Sequence, residues 1–253
     1  MTKIMLSGCN GKMGRVIDRL VADRDDAQIV CGIDINDVQY GDYPVFTSPA
    51  KCDVACDVIV DFSHPSCLEG ILDYAKANKV AAVICTTGLS QAQKDALVQT
   101  SKEVPVFFSA NMSLGVNLLI DLAKRAAKLL EGSFDIEIIE KHHNQKIDAP
   151  SGTALAIADA IGEVLSEQPA YTYDRHSVRK KRGKEEIGIH AVRGGTIVGD
   201  HEIIFAGADE VIELKHHAAS KEIFAVGAIR AAVFMQGKAP GMYSMTDLVA
   251  QIQ

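Results

Sequence analysis

The sequence predicts an α/β protein built as an N-terminal parallel-sheet domain followed by an α+β domain with a mixed sheet. Three observations predict it. Short unbroken apolar runs alternate with amphipathic helical stretches up to about Ser113. A glycine-rich turn joins the first apolar run to the first helical stretch. Beyond Ser113, strand-like runs follow one another with glycine-rich turns between them. Strands buried on both faces by helices read as continuous apolar runs, whereas strands joined by turns favour antiparallel or mixed pairing.

Taken in order, Lys3–Ser7 (K-I-M-L-S) reads as a buried strand and Gly8–Gly14 as a turn. Met13, Val16, Ile17, Leu20 and Val21 then recur at helical spacing. Ile29–Asp34 is a second strand ending in a carboxylate, and Asp57–Phe62 a third. Pro65 suits a first helical turn and opens a helix to about Asn78. Val80–Cys85 is a strand running into Thr86-Thr87-Gly88, Ser90 and Gln93 have capping-box spacing, and Val104–Phe108 is a further strand. A long helix covers Leu114–Glu131. Phe134–His142 alternates, with Phe134, Ile136 and Ile138 on one face. Ile187–Arg193, His201–Phe205 and Glu210–His216 read as strands, and helices over Lys221–Met235 and after Ser244 finish the chain. The expected domains are 1–113 with 223–253, and 114–222.

Composition narrows the function. Hydrophobic residues make up 47% and charged residues 23% of the 253, as in soluble globular proteins. No apolar run approaches the roughly 20 residues needed to span a bilayer. The opening M-T-K-I-M-L-S-G lacks a signal-peptide pattern, so a cytoplasmic protein with no membrane partner is expected. Cys9, Cys31, Cys52, Cys56, Cys67 and Cys85 form no C-x-x-C pair and read as buried reduced thiols. A net charge of −7 argues against a nucleic-acid partner. An anionic substrate must therefore be drawn by a local basic cluster. Arg175–Lys184 holds six Lys/Arg residues and His176. It reads first as a solvated loop and second as such an attractor.

Gly8, Cys9, Asn10, Gly11, Lys12, Met13 and Gly14 follow a strand and open a helix, in G-x-x-G-x-x-G spacing. Glycines allow a tight turn and close approach to a pyrophosphate, and the helix start offers free N–H groups. Asp34, about 20 residues past Gly14 at the end of the second strand, is placed to bind adenosine ribose hydroxyls. This is the pattern of a Rossmann-type dinucleotide-binding domain. Asp34 repels a 2′-phosphate, which favours NADH; Lys12 is the cation nearby that keeps NADPH open.

The stretch Glu137–Ala154 (E-I-I-E-K-H-H-N-Q-K-I-D-A-P-S-G-T-A) carries the other chemistry. Taken singly, His142 reads as a strand-end residue with a satisfied ring and Lys146 as a solvated lysine. Together, His142, His143 and Lys146 place three proton-bearing groups within five residues, beside Pro150 and a helix start. Ser151 suits the N-cap, leaving the N–H groups of Gly152 and Thr153 to meet a carboxylate. Lysine supplies a proton as well as charge. No metal is expected, since H-E-x-x-H is absent and an ammonium is a poor ligand. His216-His217 lies in a strand, where neighbours face opposite ways, and is given no catalytic role.

On these residues the chain resembles the 4-hydroxy-tetrahydrodipicolinate reductase (dihydrodipicolinate reductase) family. The resemblance extends to G-C-N-G-K-M-G at Gly8–Gly14, D-F-S at Asp61–Ser63, C-T-T-G at Cys85–Gly88, S-A-N-M-S-L-G-V-N at Ser109–Asn117 and R-G-G-T-I-V-G-D-H at Arg193–His201. It implies hydride transfer from NADH or NADPH to an unsaturated cyclic dicarboxylate. It implies that Gly8 to Met13 hold the pyrophosphate and Asp34 the ribose. Cys85, Thr86, Thr87, Ser109, Ala110, Asn111 and Met112 are implied to line the nicotinamide side, with Phe62 and Ser63 nearby. His142 and Lys146 are the implied proton donors, the choice between them being open. His143, Gly152 and Thr153 are the implied substrate contacts, and a homotetramer built through the second domain's sheet is the implied assembly. Two positions depart from the family. Cys85 replaces a frequent glycine, which implies altered cofactor packing, and Gln145 replaces a frequent basic residue, which implies altered carboxylate binding.

Overall fold

In the computed structural model, which describes residues 1–109 and 111–251, the elements follow in this order. They are β1 (Thr2–Ser7), α1 (Lys12–Ala22), β2 (Ala27–Ile33), β3 (Val45–Phe46), β4 (Val58–Asp61), α2 (Leu68–Asn78), β5 (Ala81–Ile84), α3 (Gln91–Thr100) and β6 (Pro105–Phe108). Then come α4 (Leu114–Leu130), β7 (Asp135–His142), α5 (Gly152–Gly162), β8 (Ala170–Thr172), β9 (Glu186–Arg193), β10 (Gly199–Ala206) and β11 (Val211–Ala218). The last elements are α6 (Glu222–Met235), β12 (Gly241–Tyr243) and α7 (Met245–Gln251). The chain divides into two compact units, Met1–Leu114 with Glu222–Gln253, and Gly115–Lys221. Among the described residues no helix is long and apolar enough to cross a membrane.

The first unit is a seven-stranded sheet in the order β12-β6-β5-β4-β1-β2-β3. Among the described residues every strand pairing in it is parallel, as the unbroken apolar runs predict. Alternate residues of one run feed opposite faces. Ile4, Leu6, Val58 and Val60 pack toward one core, with α1 and α6. Met5, Ile59, Ala82 and Ile84 pack toward the other, with α2 and α3. Two-sided burial is why these strands show no polar alternation. The helix expected from Pro65 begins instead as a short 3₁₀ turn, Pro65–Cys67, with α2 starting at Leu68. The strand order reverses at β1, whose neighbours are β2 and β4. Ligands of such sheets bind beyond the strand ends at this reversal.

The second unit is a five-stranded sheet in the order β11-β10-β7-β9-β8. β10 runs antiparallel to both β11 and β7, while β7, β9 and β8 run parallel, so the sheet is mixed. Leu119, Ala123 and Ala127 of α4 and Ala154, Ile157 and Ile161 of α5 pack on Ile136, Ile138, Ile189, Ile203 and Phe205. Three cations of the basic run, Arg175, Lys180 and Arg182, form ion pairs within this unit. Arg175 pairs with Glu137 and Glu186, both at 2.6 Å. Arg182 pairs with Asp135 at 2.9 Å and Glu137 at 3.0 Å, and Lys180 with Glu186 at 3.0 Å. These cations neutralise carboxylates of β7 and β9.

Candidate active site

The turn after β1 lies at the strand reversal. Gly8 has φ of 78°, and a Cβ there would stand 2.7 Å from the Phe62 carbonyl oxygen. Glycine alone meets both demands. Gly11 caps α1 without any side-chain bond, so the first N–H groups of the helix stay available to an anion. Gly8, Asn10, Gly11, Arg15, Asp34 and Tyr40 are among the residues lining a cleft of about 600 Å³. Asp34 accepts the Asn10 N–H at 2.9 Å through one oxygen and the Ile35 N–H at 2.8 Å through the other. It thereby ties the glycine turn to the end of β2. A carboxylate has about four acceptor positions, so capacity remains for ribose hydroxyls. Cys9 is buried, and burial pushes its thiol up to about 11, so it contributes backbone rather than chemistry. Lys12 is exposed on the first turn of α1, outside the lining of this cleft. The cation inside the cleft is Arg15, which sequence reasoning passed over. Its guanidinium lies 3.8 Å from the Tyr40 ring centre, and its Nε donates to the Asn10 carbonyl at 3.2 Å.

A second pocket of the same unit, about 290 Å³, is lined by Met13, Phe62, Ser63, Cys85, Thr86, Thr87, Ser109, Asn111 and Met112, together with Phe224. The structure thus brings these expected residues together; Ala110 lies outside the described residues. Asp61, fully buried at the end of β4, organises the pocket. One of its oxygens accepts the Ser63 N–H at 3.1 Å and the Ser63 hydroxyl at 2.5 Å, and the other accepts the Thr86 hydroxyl at 2.6 Å. Ser109 donates its hydroxyl to the Asn111 carbonyl at 2.8 Å. Cys85 is buried, and burial drives its thiol well above the ordinary value, leaving it neutral.

In the second unit, β7 delivers His142 as its last residue. The His142 carbonyl accepts the Gly194 N–H at 2.9 Å, and the Asn144 N–H reaches the Gly195 carbonyl at 3.2 Å. The glycine turn after β9 therefore pins the turn that carries His143 and Lys146, whose N–H returns to the His143 carbonyl at 3.1 Å. Ser151 caps α5 by accepting the Ala154 N–H at 3.1 Å, as expected. Gly152 opens that helix with space where a side chain would stand, and Thr153 follows. Lys146 is four-fifths buried and pairs with Asp148 at 2.9 Å. Gln145 is exposed and bonds Asn144.

Behind His142 lies a buried polar network that sequence reasoning missed. Glu140, fully buried, contacts His142 Nδ1 at 2.7 Å and accepts both terminal nitrogens of Arg193 at 2.7 and 2.8 Å. Burial pushes the Glu140 carboxyl up, but the bonds from Arg193, His142 and the Ser151 N–H outweigh it and hold it below the usual range. His201 packs edge-on against His142, with ring centres 5.3 Å apart, and its Nε2 lies 3.1 Å from the Ser151 hydroxyl. Burial, aided by His142, lowers the His201 pKa to about 4, so the ring is neutral near pH 7. The signal that reaches Glu140 is the alternation of β7, since Ile136, Ile138, Glu140 and His142 share its buried face.

A parallel sheet that reverses at a glycine turn in one unit, and a mixed sheet in the other whose β7 end and following turn carry His142, His143 and Lys146, define the class of nucleotide-dependent Rossmann-type oxidoreductases. Family models described as dihydrodipicolinate reductase, N-terminus and C-terminus, match residues 2–112 and 115–249. The chain belongs to the dihydrodipicolinate reductase family, as its motifs imply. It is 52% identical over 245 residues to the 4-hydroxy-tetrahydrodipicolinate reductase of Clostridium tetani, covering 97% of this chain and 96% of that one. The Clostridium novyi enzyme of the same name is 51% identical, covering 98% of each. Among solved structures, the dipicolinate-bound dihydrodipicolinate reductase from Paenisporosarcina sp. TG-14 superposes with a TM-score of 0.81 at 25% identity, covering 96% and 97% of the two chains.

Proposed function

We propose that this chain transfers a hydride from NADH or NADPH to 4-hydroxy-tetrahydrodipicolinate, a cyclic dicarboxylate whose 4-hydroxyl leaves as water before the hydride adds, giving tetrahydrodipicolinate, water and the oxidised cofactor for diaminopimelate and lysine synthesis. The observation that carries the reading is the grouping of His142, His143 and Lys146 beside the start of α5, with Gly152 opening onto free space. The names of the relatives point to the same substrate.

The bound nicotinamide supplies the hydride. The chain does the rest. The uncapped N–H groups at the start of α1 take the pyrophosphate, and Asp34 takes the ribose hydroxyls. Phe62, Ser63, Cys85, Thr86, Thr87, Ser109, Asn111 and Met112 enclose the nicotinamide side, with Asp61 fixing Ser63 and Thr86. Lys146, His143 and the N–H groups of Gly152 and Thr153 hold the substrate carboxylates. Hydride addition leaves excess electron density on the adjoining atoms of the ring. Lys146 as ammonium, aided by His142, delivers the proton that this density requires. Positioned acid catalysis contributes about 10²–10⁴-fold.

Asp34 disfavours a 2′-phosphate, whereas Arg15 in the same cleft offers it a cation, so both cofactors serve and NADH is preferred. The protein acts in the cytoplasm, in keeping with six free cysteines. It assembles as a homotetramer through the mixed sheet, whose strands leave Val192, Val211 and Ile212 exposed. Spectrophotometry of both cofactors with enzymatically generated substrate tests the activity, and light scattering tests the assembly.

A further inference from the structure

Glu140 and His142 sit two residues apart on the buried face of β7. Oε1 of Glu140 accepts the Ser151 N–H at 3.0 Å and Arg193 Nη2 at 2.8 Å. Oε2 accepts Arg193 Nη1 at 2.7 Å and lies 2.7 Å from His142 Nδ1. A two-pronged guanidinium fixes the plane of a carboxylate as well as its charge. An ionised carboxylate only accepts, so the hydrogen between Glu140 and His142 belongs to Nδ1. Nε2, the other nitrogen, meets no side chain from position 199. A Cβ at position 199 would stand 3.0 Å from His142 Nε2, and the residue there is glycine. The titratable and charged groups around the ring come from every neighbouring strand. They are Glu140 on β7, Arg193 on β9 and His201 on β10, with Asp200 of β10 and His216 of β11 acting on His201. His201 is neutral near pH 7 and does not oppose a proton on His142.

We propose that Glu140, clamped by Arg193, is a positioning residue for the reduction: it locks His142 in the Nδ1–H form, so that the ring exchanges its proton through Nε2 alone. This rests on the reading of His142 as part of the acid site. It adds two residues, Glu140 and Arg193, that act on the reaction only through another side chain.

The first measurement needs no variant. In the full-length protein labelled with ¹⁵N-histidine, the neutral His142 ring is expected with hydrogen on Nδ1 and none on Nε2. A predominantly Nε2–H ring overturns the proposal. In steady-state assays Glu140→Gln is expected to lower kcat by about 10- to 100-fold, with both KM values within about threefold, and to shift the pH profile of kcat. Glu140→Asp is expected to restore part of the loss. An unchanged kcat and profile in a folded Glu140→Gln protein overturns the proposal. In a His142→Gln background the Glu140→Gln change is expected to add less than about a twofold loss. Fully additive losses mark a merely structural role and overturn it too. If His142→Gln alone keeps normal turnover, the reading of His142 falls and carries the proposal with it. If His142→Gln is impaired while Glu140→Gln is normal, only the proposal falls.

Discussion

Lys146 Nζ stands 2.9 Å from a carboxylate oxygen of Asp148, so a carboxylate of the chain itself occupies the cation assigned to the substrate. The Lys146 bond is the largest cause holding Asp148 below the ordinary carboxylate range, and the Gly152 N–H adds a smaller one. A substrate carboxylate must displace this contact. An ion pair of this exposure is worth up to about 1 kcal/mol, or about fivefold in affinity. Asp148→Asn is therefore expected to lower the KM for the dicarboxylate by up to about fivefold, with kcat less affected. Steady-state kinetics checks it, and a raised KM contradicts it.

Lys146→Ala removes both the charge and the proposed proton donor. Turnover is expected to fall by about 10²–10⁴-fold while NADH binding, which belongs to the first unit, stays intact. Turnover assays with parallel fluorescence titration of NADH check this. Near-normal turnover would remove Lys146 from the acid role.

Asp34→Ser is expected to weaken NADH by about tenfold, the equivalent of one charge-assisted hydrogen bond, and NADPH by less. The ratio of the two KM values reads the outcome. Some stability is lost as well, because the Asn10 and Ile35 N–H groups lose their acceptor.

Gly14→Ala probes the glycine turn from inside α1. The new Cβ would fall 2.2 Å from the Gly8 carbonyl oxygen and 2.5 Å from that of Cys9, both backbone atoms. The turn must open, at a cost of about 1–3 kcal/mol or more. A lowered melting temperature and loss of NADH binding are expected together.

His201 sets a pH dependence of stability. Burial lowers its pKa from 6.5 to about 4. Above pH 6.5 folded and unfolded rings are both neutral. Below it the unfolded ring takes up a proton that the folded one refuses, so stability falls between pH 6.5 and 4, by about 3 kcal/mol at most. His216, lowered chiefly by burial, adds in the same direction. Denaturant unfolding across this range checks it, and His201→Gln is expected to flatten the slope.

How much of this is legible in the sequence follows from the range of each interaction. Unbroken apolar runs expose the parallel strands because both faces are buried, and the Ser90–Gln93 box and the Ser151 cap are local patterns that form as read. β3 and β12, of two and three residues, are too short to show any period. Alternation in β7 is plain at Ile136 and Ile138, but continued to Glu140 it puts a carboxylate in the core. Its partner Arg193 lies 53 residues away, so nothing local justifies that burial. Arg15 reads as an exposed helix residue, and it reaches the cleft only because the Tyr40 segment folds beside it. Arg175 and Arg182 of the basic run read as free charge, because their acidic partners Glu137 and Asp135 lie on a distant strand.

The most direct test of the central claim is the absorbance of NADH mixed with the purified protein and enzymatically generated 4-hydroxy-tetrahydrodipicolinate. NADH is expected to be consumed in step with the dicarboxylate, and added dipicolinate to slow it competitively. NADH that binds but is not oxidised, at any concentration of that substrate, would contradict it.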